Sequence, residues 1–332
     1  MTRSSTTSRV VLAATLVAPA CTGPQVSAGG GAAEPLVVES AQFFSGALPG
    51  SAPIPSSDDG GAQGQPTGTQ VVDVNVASRI IHPGEAGMSI TGHATTDAQT
   101  VAVRFASLGS GYWVVPVGAS DPTDNGLLTW SLTVDYGSAL PAGPADVLFA
   151  AIDANGASGM QQDLPVCIDT PVPDNLNACD PTRAPPAAVV SLVWDTAVDL
   201  DLIVQTPNGA IVGGRKTSTA PPAADGGATT PGAGDGVLDR DSNRDCVIDG
   251  IQREDAVWQS SPPTGTYQVW VDLYSACGQS AVHFTVSNWL PETQPDGTKR
   301  LVEHPFAKGE LPAQQANAGT GPGLFVGAFV LQ

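Results

Sequence analysis

The residues best suited to chemistry are acidic, and they form two groups in the second half of the chain. The first is the pair Asp199 and Asp201, on either side of Leu200 in an apolar run. The second lies in a later loop, whose candidate ligands are Asp239, Asp241, Asn243, Asp245 and Asp249. Because calcium prefers carboxylate and amide oxygens, the two groups predict one or two structural Ca²⁺ ions that join the run to the loop. The alternative is a solvated loop rich in turn-forming residues.

The spacing of the first group predicts a strand. Side chains alternate between the two faces of a strand, so Leu200 and Leu202 are expected to face the core while Asp199 and Asp201 project together on the other face. Two carboxylates roughly 6–7 Å apart on one face repel each other unless water or a cation lies between them.

The second group has the spacing of a calcium loop. Four of its residues fall at the first, third, fifth and seventh places of an EF-hand-like numbering: Asp239, Asp241, Asn243 and Asp245. Arg244 stands where an EF-hand has Gly, and Gly250 stands where it has the bidentate Glu. Asp249 or Glu254 could supply that missing carboxylate. The segment therefore resembles a calcium loop without being an EF-hand.

A further candidate surface lies on the predicted strand 266–274. Alternation places Trp270, Asp272 and Tyr274 on its outer face. Aromatic rings beside a carboxylate can stack on a sugar ring or on a partner's side chain. The alternative is that the long acidic loop packs on these residues as a small second core.

The N-terminus has the features of an export signal. Arg3 and Arg9 precede a short apolar run, and small residues lead to Cys21. This arrangement resembles the lipobox of bacterial lipoproteins, which implies lipid attachment at Cys21 and, with Thr22 following, an outer-membrane address facing the periplasm or the cell surface. The alternative is ordinary cleavage near Ala20 and full secretion.

The remaining cysteines are even in number, as expected in an oxidising compartment. Pairing between neighbours predicts the disulfides Cys167–Cys179 and Cys246–Cys277. The CxxC spacing of zinc or redox sites is absent.

Charge and motifs exclude several classes of function. The net charge is −19 with only 13 Lys and Arg residues, so nucleic acid and anionic membrane surfaces would be repelled. The sequence contains no HExxH, GxSxG or P-loop motif. We therefore expect a protein that is not an enzyme.

The overall pattern predicts an all-β protein of two tandem β-sandwiches, immunoglobulin-like and then jelly-roll-like, after a disordered N-terminal tether. The chain has 38 Gly and 29 Pro, which favour short strands and turns over helices, and seven short alternating runs from residue 70 are typical of a sandwich. The predicted units are a lipoprotein signal peptide (1–21), a flexible linker (22–69), an immunoglobulin-like β-sandwich (70–168), a Pro-rich joint (169–187) and a calcium-braced β-sandwich (188–332).

The second predicted sandwich resembles a known family. Its run from Leu192 to Gly209 contains D-L-D-L and ends in P-N-G, and G-T-Y-Q-V-W-V-D-L-Y follows from Gly265. In this order the segments resemble the YfaP-like family of secreted or lipid-anchored bacterial domains, and they are similar to bacterial pre-peptidase C-terminal domains. The resemblance covers residues 188–290 and implies a sandwich with no active site.

Together these features predict a non-catalytic, lipid-anchored binding protein of the cell envelope, whose partner is a polysaccharide or another envelope protein. The alternatives are a structural spacer and an accessory or regulatory module of a secreted hydrolase.

Overall fold

The computed structural model describes residues 31–53, 68–124, 126–223 and 229–332. The predicted signal peptide and Cys21 lie outside these ranges. Within them the chain forms β-strands and two 3-10 turns, with no α-helix. No helix in the described ranges is long and apolar enough to cross a bilayer.

Ten strands build the first sandwich. They are β1 (Leu36–Val38), β2 (Gln42–Ser45), β3 (Val71–Val76), β4 (Ile80–Ile81), β5 (Met88–Thr95), β6 (Ala98–Phe105), β7 (Gly111–Pro116), β8 (Leu127–Tyr136), β9 (Gly143–Asp153) and β10 (Gln162–Ile168). One sheet has the order β1-β8-β5-β3, and the other has the order β2-β7-β6-β9-β10-β4. Apolar side chains from both sheets, including Trp130 and Phe149, meet between them in one core.

The predicted linker requires correction, because part of it belongs to this sandwich. Strand β1 pairs with β8, and β2 pairs with β7 on the opposite sheet, so the segment crosses from one sheet to the other at a shared side of the sandwich. Leu36, Val38 and Phe43 are 2%, 2% and 7% exposed. Burying these side chains and pairing the backbone outweigh the Gly, Ala and Pro content that predicted disorder.

The Pro-rich joint is ordered and attached at both ends. The Cys167–Cys179 disulfide ties it to the end of β10. Val172 is buried against Val189 and Val257 of the second sandwich, and Arg253 donates a hydrogen bond to the carbonyl of Pro171. The joint therefore packs against the unit that follows it.

Nine strands build the second sandwich. They are β11 (Ala188–Trp194), β12 (Asp199–Gln205), β13 (Ile211–Val212), β14 (Gly236–Leu238), β15 (Arg253–Trp258), β16 (Gly265–Ser275), β17 (Ala281–Thr293), β18 (Lys299–Pro312) and β19 (Leu324–Leu331). The sheets have the orders β14-β15-β11-β17-β18 and β13-β12-β16-β19. The predicted all-β fold with two tandem sandwiches is confirmed.

The predicted alternation positions the acidic pair. On β12, Leu200, Leu202 and Val204 are fully buried in the core, and on β16 Tyr267, Val269 and Val271 are buried beside them. The opposite face of β12 and β16 therefore carries Asp201, which lies directly across from Asp272 in the strand pairing.

Candidate functional site

Three carboxylates converge at the edge of the second sandwich. Asp199 and Asp201 come from β12, and Asp241 comes from the loop that follows β14. Each offers one oxygen, and the three oxygens all lie within 4.8 Å of one another. We call these three residues the acidic cluster. It joins the strand to the loop, as the sequence predicted, and it could hold a metal ion.

Backbone and amide groups hold the loop on the strand. The backbone N–H of Asp245 donates to Oδ2 of Asp199 at 2.7 Å. The amide of Asn243 donates to the carbonyl of Val198 at 3.0 Å and accepts from the N–H of Asp249 at 3.1 Å. Asn243 and Asp245 have left-handed backbone with φ of 59° and 52°, which lets the chain turn tightly without the Gly of an EF-hand.

A buried glutamate fixes the two arms of the cluster relative to each other. Glu254 is fully buried on β15. Its Oε2 accepts a hydrogen bond from the N–H of Leu202 at 2.7 Å, and its Oε1 accepts one from the N–H of Ser242 at 3.2 Å. Because Leu202 follows Asp201 and Ser242 follows Asp241, Glu254 positions both cluster residues. It was expected as a candidate ligand, and its two hydrogen bonds instead give it a positioning role.

The second disulfide closes the same loop. Cys246 is bonded to Cys277, which follows the end of β16. Ser275 at that end is the strand partner of Asp199, so the disulfide clamps the loop beside the cluster. Both predicted disulfides are confirmed.

Asp201 and Asp241 leave carboxylate oxygens without hydrogen bonds among the described residues, although Arg244 lies 3.5 Å from Oδ2 of Asp241. Asp201 is 9% exposed, and its side chain makes no hydrogen bond or ion pair within the described ranges. Oδ1 of Asp241 is buried and also has no hydrogen-bond partner there. Buried charged oxygens without partners cost free energy that a bound cation offsets. A cation bound at the cluster would relieve this cost.

The raised pKa values of the acidic residues also favour a bound cation. Burial, followed by the negative charges of Asp199 and Asp241, raises the pKa of Asp201 to about 7. Burial raises the pKa of Asp199 to about 6. It also raises the pKa of Glu254 well above its ordinary value, with the charge of Asp201 adding to the effect. In the metal-free protein these groups resist ionisation, and a divalent cation would reverse that preference.

We expect the metal-free protein to lose stability as the pH rises from about 4 to about 7. Below the ordinary Asp pKa of about 3.9, Asp201 is protonated in both the folded and the unfolded chain. In that pH range its raised pKa contributes its full stabilisation to the folded chain. Above that pH the unfolded chain releases a proton that the folded chain keeps, until the folded-state pKa of about 7 is passed. Thermal unfolding in EDTA at pH 5 and pH 7.5 measures the difference.

The Asp201→Asn variant isolates this contribution. Burial also raises the pKa of Asp255 to about 7. Asp255 therefore adds a loss of stability with rising pH, and the variant retains that loss. The variant should therefore show a shallower loss of melting temperature with pH than the natural chain. An identical slope in both proteins would show that Asp201 ionises normally.

The other predicted ligands lie apart from the cluster or at its margin. Asp239 accepts from the backbone of Asp255 and contacts Arg240. Asn243 uses its amide to hold the loop, and Asp249 accepts hydrogen bonds from Ser242 and Ile251. The Asp245 carboxylate is exposed beside the cluster. Of the predicted loop residues, Asp241 is therefore the one in the cluster, because Asp239, Asn243 and Asp249 use their side chains in hydrogen bonds.

The predicted outer-face residues of β16 have three different environments. Asp272 is buried and accepts a hydrogen bond from the Asn317 amide, so the segment after β18 covers it. Trp270 is half-buried and packs edge-on against Phe325 of β19, with ring centroids 5.4 Å apart. Tyr274 lies on the wall of the cavity beside the acidic cluster. The structure thus separates the surroundings of the three residues, and the ligand-binding role that the sequence suggested for them stays a prediction.

The cavity beside the cluster was not apparent from the sequence. Its volume is about 410 Å³. Besides the cluster, it is lined by Gly214, Arg215, Arg244, Asp245 and Tyr274. Arg215 follows β13, and its charge partly opposes the rise in pKa that burial causes in Asp201 and Asp272. The position of Arg215 depends on how a long irregular segment folds back on the sheet. The neighbouring Gly213 and Gly214 were a weak signal of this in the sequence.

Comparisons with known proteins do not assign this chain to a family. No family model matches it, and no curated protein matches it. Among solved structures it is similar to fibronectin(III)-like modules of CbhA from Clostridium thermocellum, at 11% identity over 75% of this chain and 95% of that one, with a TM-score of 0.17. It is also similar to the C-terminal domain of the AgI/II polypeptide BspA from Streptococcus agalactiae, at 9% identity over 71% and 98%, with a TM-score of 0.22. Scores this low do not establish relatedness, and the β-sandwich assignment rests on the strand pairing of the chain itself.

Proposed function

We propose that this protein is a non-catalytic binding protein of the cell envelope whose second β-sandwich is stabilised by calcium. The observation that carries the proposal is the convergence of Asp199, Asp201 and Asp241, with Asp201 about nine-tenths buried and without a partner among the described residues. Like charges so close together in a buried position favour a cation between them.

The donor set favours calcium over other metals. The cluster offers only carboxylate oxygens, and neither His nor Cys belongs to it. Hard cations such as Ca²⁺ and Mg²⁺ prefer such ligands, and Ca²⁺ tolerates an irregular arrangement of six to eight oxygens better than Mg²⁺ does. Asp199, Asp201 and Asp241 would hold the ion, and the ion would neutralise their charge and join the loop to β12.

The envelope location rests on the export signal and on the disulfides. The sequence before Cys21 resembles a lipobox, and lipid attachment there would anchor the chain to the outer membrane. Cys167–Cys179 and Cys246–Cys277 are both formed, as is usual in oxidising compartments. The YfaP-like resemblance of the second sandwich supports the same location, and the partner would be a surface polysaccharide or another envelope protein.

A structural spacer is the second candidate, because the joint between the sandwiches is attached on both sides. Its disulfide to β10 and the packing of Val172 against the second sandwich favour a fixed connection between the two units. A glycan array and a pull-down with the protein lacking residues 1–21 distinguish the two roles. Capture of a polysaccharide or of one envelope protein supports a binding protein, and no capture in either assay favours the spacer.

Calcium is expected to raise the melting temperature of the purified protein by about 5–10 °C over the value in EDTA. Calcium at about a hundred times its dissociation constant stabilises by about 2.7 kcal/mol, and each kcal/mol shifts the melting temperature of a domain of this size by about 2–4 °C. The measurement is thermal unfolding in EDTA, Ca²⁺ and Mg²⁺, together with the metal content of the dialysed protein by mass spectrometry.

The matched variants place the effect at the cluster. Asp201→Asn should abolish most of the calcium shift, whereas Asp163→Asn, an exposed carboxylate on the first sandwich, should leave it unchanged. A melting curve that does not respond to calcium in the natural chain would refute the proposed ion.

A further inference from the structure

We propose that the acidic cluster is an open metal centre, which binds the carboxylate of an acidic sugar through the bound ion and Arg215. This inference rests on the proposed calcium site and adds to it the class of ligand and the residues that recognise it. It combines the acidic cluster, the cavity beside it and the guanidinium of Arg215 on the cavity wall.

The cluster leaves room for an external ligand. Calcium takes six to eight oxygens, and three carboxylates supply only part of that number. The cluster opens on the cavity of about 410 Å³, so an ion held there would keep coordination positions for water or for a ligand in the cavity. The side chain of Asp201, which is 9% exposed and makes no hydrogen bond or ion pair among the described residues, lines the same cavity, and an ion there would supply the partner that it lacks.

Arg215 supplies a second attraction for an anion. Within the described ranges its guanidinium makes no hydrogen bond and has no carboxylate within ion-pair distance, and it lies against Gly319, where a Cβ would collide with it. By contrast, Arg244 on the same cavity is near both Asp241 and Asp245. A free guanidinium presents paired donors that match a carboxylate. In a chain of net charge −19, such a group together with a divalent ion makes a local site for an anion.

The rest of the wall suits a sugar. Tyr274 offers an aromatic ring for stacking, and the exposed carboxylate of Asp245 can accept hydrogen bonds from hydroxyl groups. The cavity volume falls in the range of about 300–1,000 Å³ that is usual for small-ligand sites. A carboxylate for the ion and Arg215, a ring face for Tyr274 and hydroxyls for Asp245 together describe a uronic acid residue.

Titration calorimetry of the full chain with trigalacturonate tests the inference. We expect binding in Ca²⁺, none in EDTA, and none of the uncharged galactose trisaccharide. Arg215→Ala should weaken binding at least about tenfold, the loss expected for one charge-assisted hydrogen bond. Arg79→Ala, which removes an exposed arginine of the first sandwich, is the matched control and should bind like the natural chain.

The melting temperature of each sample separates the two proposals. A calcium-dependent melting temperature without trigalacturonate binding would overturn the sugar site and leave the structural ion in place. The absence of both would overturn both. Equal affinity for an oligoglutamate peptide would overturn the sugar assignment in favour of an acidic protein partner, and an unchanged affinity in Arg215→Ala would overturn the role of that residue.

Discussion

A chain that begins at Gln70 is expected to lose the first sandwich as a folded unit, although the sequence before it reads as a linker. The deletion removes β1 and β2, which form the outer strands of both sheets on one side. It also exposes the core surfaces that Leu36, Val38 and Phe43 cover. At about 1.5–3 kcal/mol for each buried side chain, the loss is at least about 5 kcal/mol, which is comparable with the whole stability of an ordinary domain.

Thermal unfolding and near-ultraviolet circular dichroism of the truncated chain measure this loss. The matched control begins at Gly31 and keeps both strands, so it should unfold like the natural chain. Phe43→Ala provides a milder test within the full chain and should cost about 3–5 kcal/mol. If the chain from Gln70 keeps the near-ultraviolet signal of Trp113 and Trp130, the two strands are dispensable and the expectation is wrong.

These two strands show where sequence reasoning failed in this fold. The longer strands, such as β5, β8 and β16, were predicted because alternation sustained over several residues is typical of a strand with one buried face. Strands β1 and β2 have three and four residues, too few to establish a period of two. They form strands because each pairs with the open edge of a sheet. That edge is a property of the assembled sandwich and not of the segment.

The residues of the candidate site also differ in how far the local sequence predicts their placement. Asp199 and Asp201 were predicted because their placement depends only on the alternation of one strand. Asp241 was predicted by its spacing, but the same spacing also predicted Asp239 and Asn243, whose side chains the loop uses for hydrogen bonds. The contributions of Glu254 and Arg215 depend on contacts between distant segments, which their local sequence indicates at most weakly.

Replacing both Cys246 and Cys277 by Ser is expected to weaken calcium binding at least about tenfold as well as to destabilise the protein. The chain-entropy relation gives about 4 kcal/mol for a closure with a sequence separation of 31. The expected loss of calcium affinity follows from the position of the disulfide beside the acidic cluster. Asp245, which donates its N–H to Asp199, directly precedes Cys246, so release of the loop loosens the attachment of Asp241 to β12. The ion must then order the loop on binding, and that ordering reduces its affinity.

The other disulfide provides the control that separates stability from affinity. Cys167–Cys179 has a sequence separation of 12, for which the same relation gives about 3 kcal/mol, yet it lies at the joint and touches no residue of the acidic cluster. The Cys167→Ser, Cys179→Ser variant should therefore melt at a lower temperature while its calcium affinity, measured by calorimetry below the melting range, stays unchanged. Equal losses of affinity in the two double variants would mean that calcium responds to overall stability and not to the clamped loop. A loss of calcium affinity confined to the Cys246→Ser, Cys277→Ser variant would mean that the loop is already ordered before the ion binds. The covalent bond would then be what holds Asp241 beside β12.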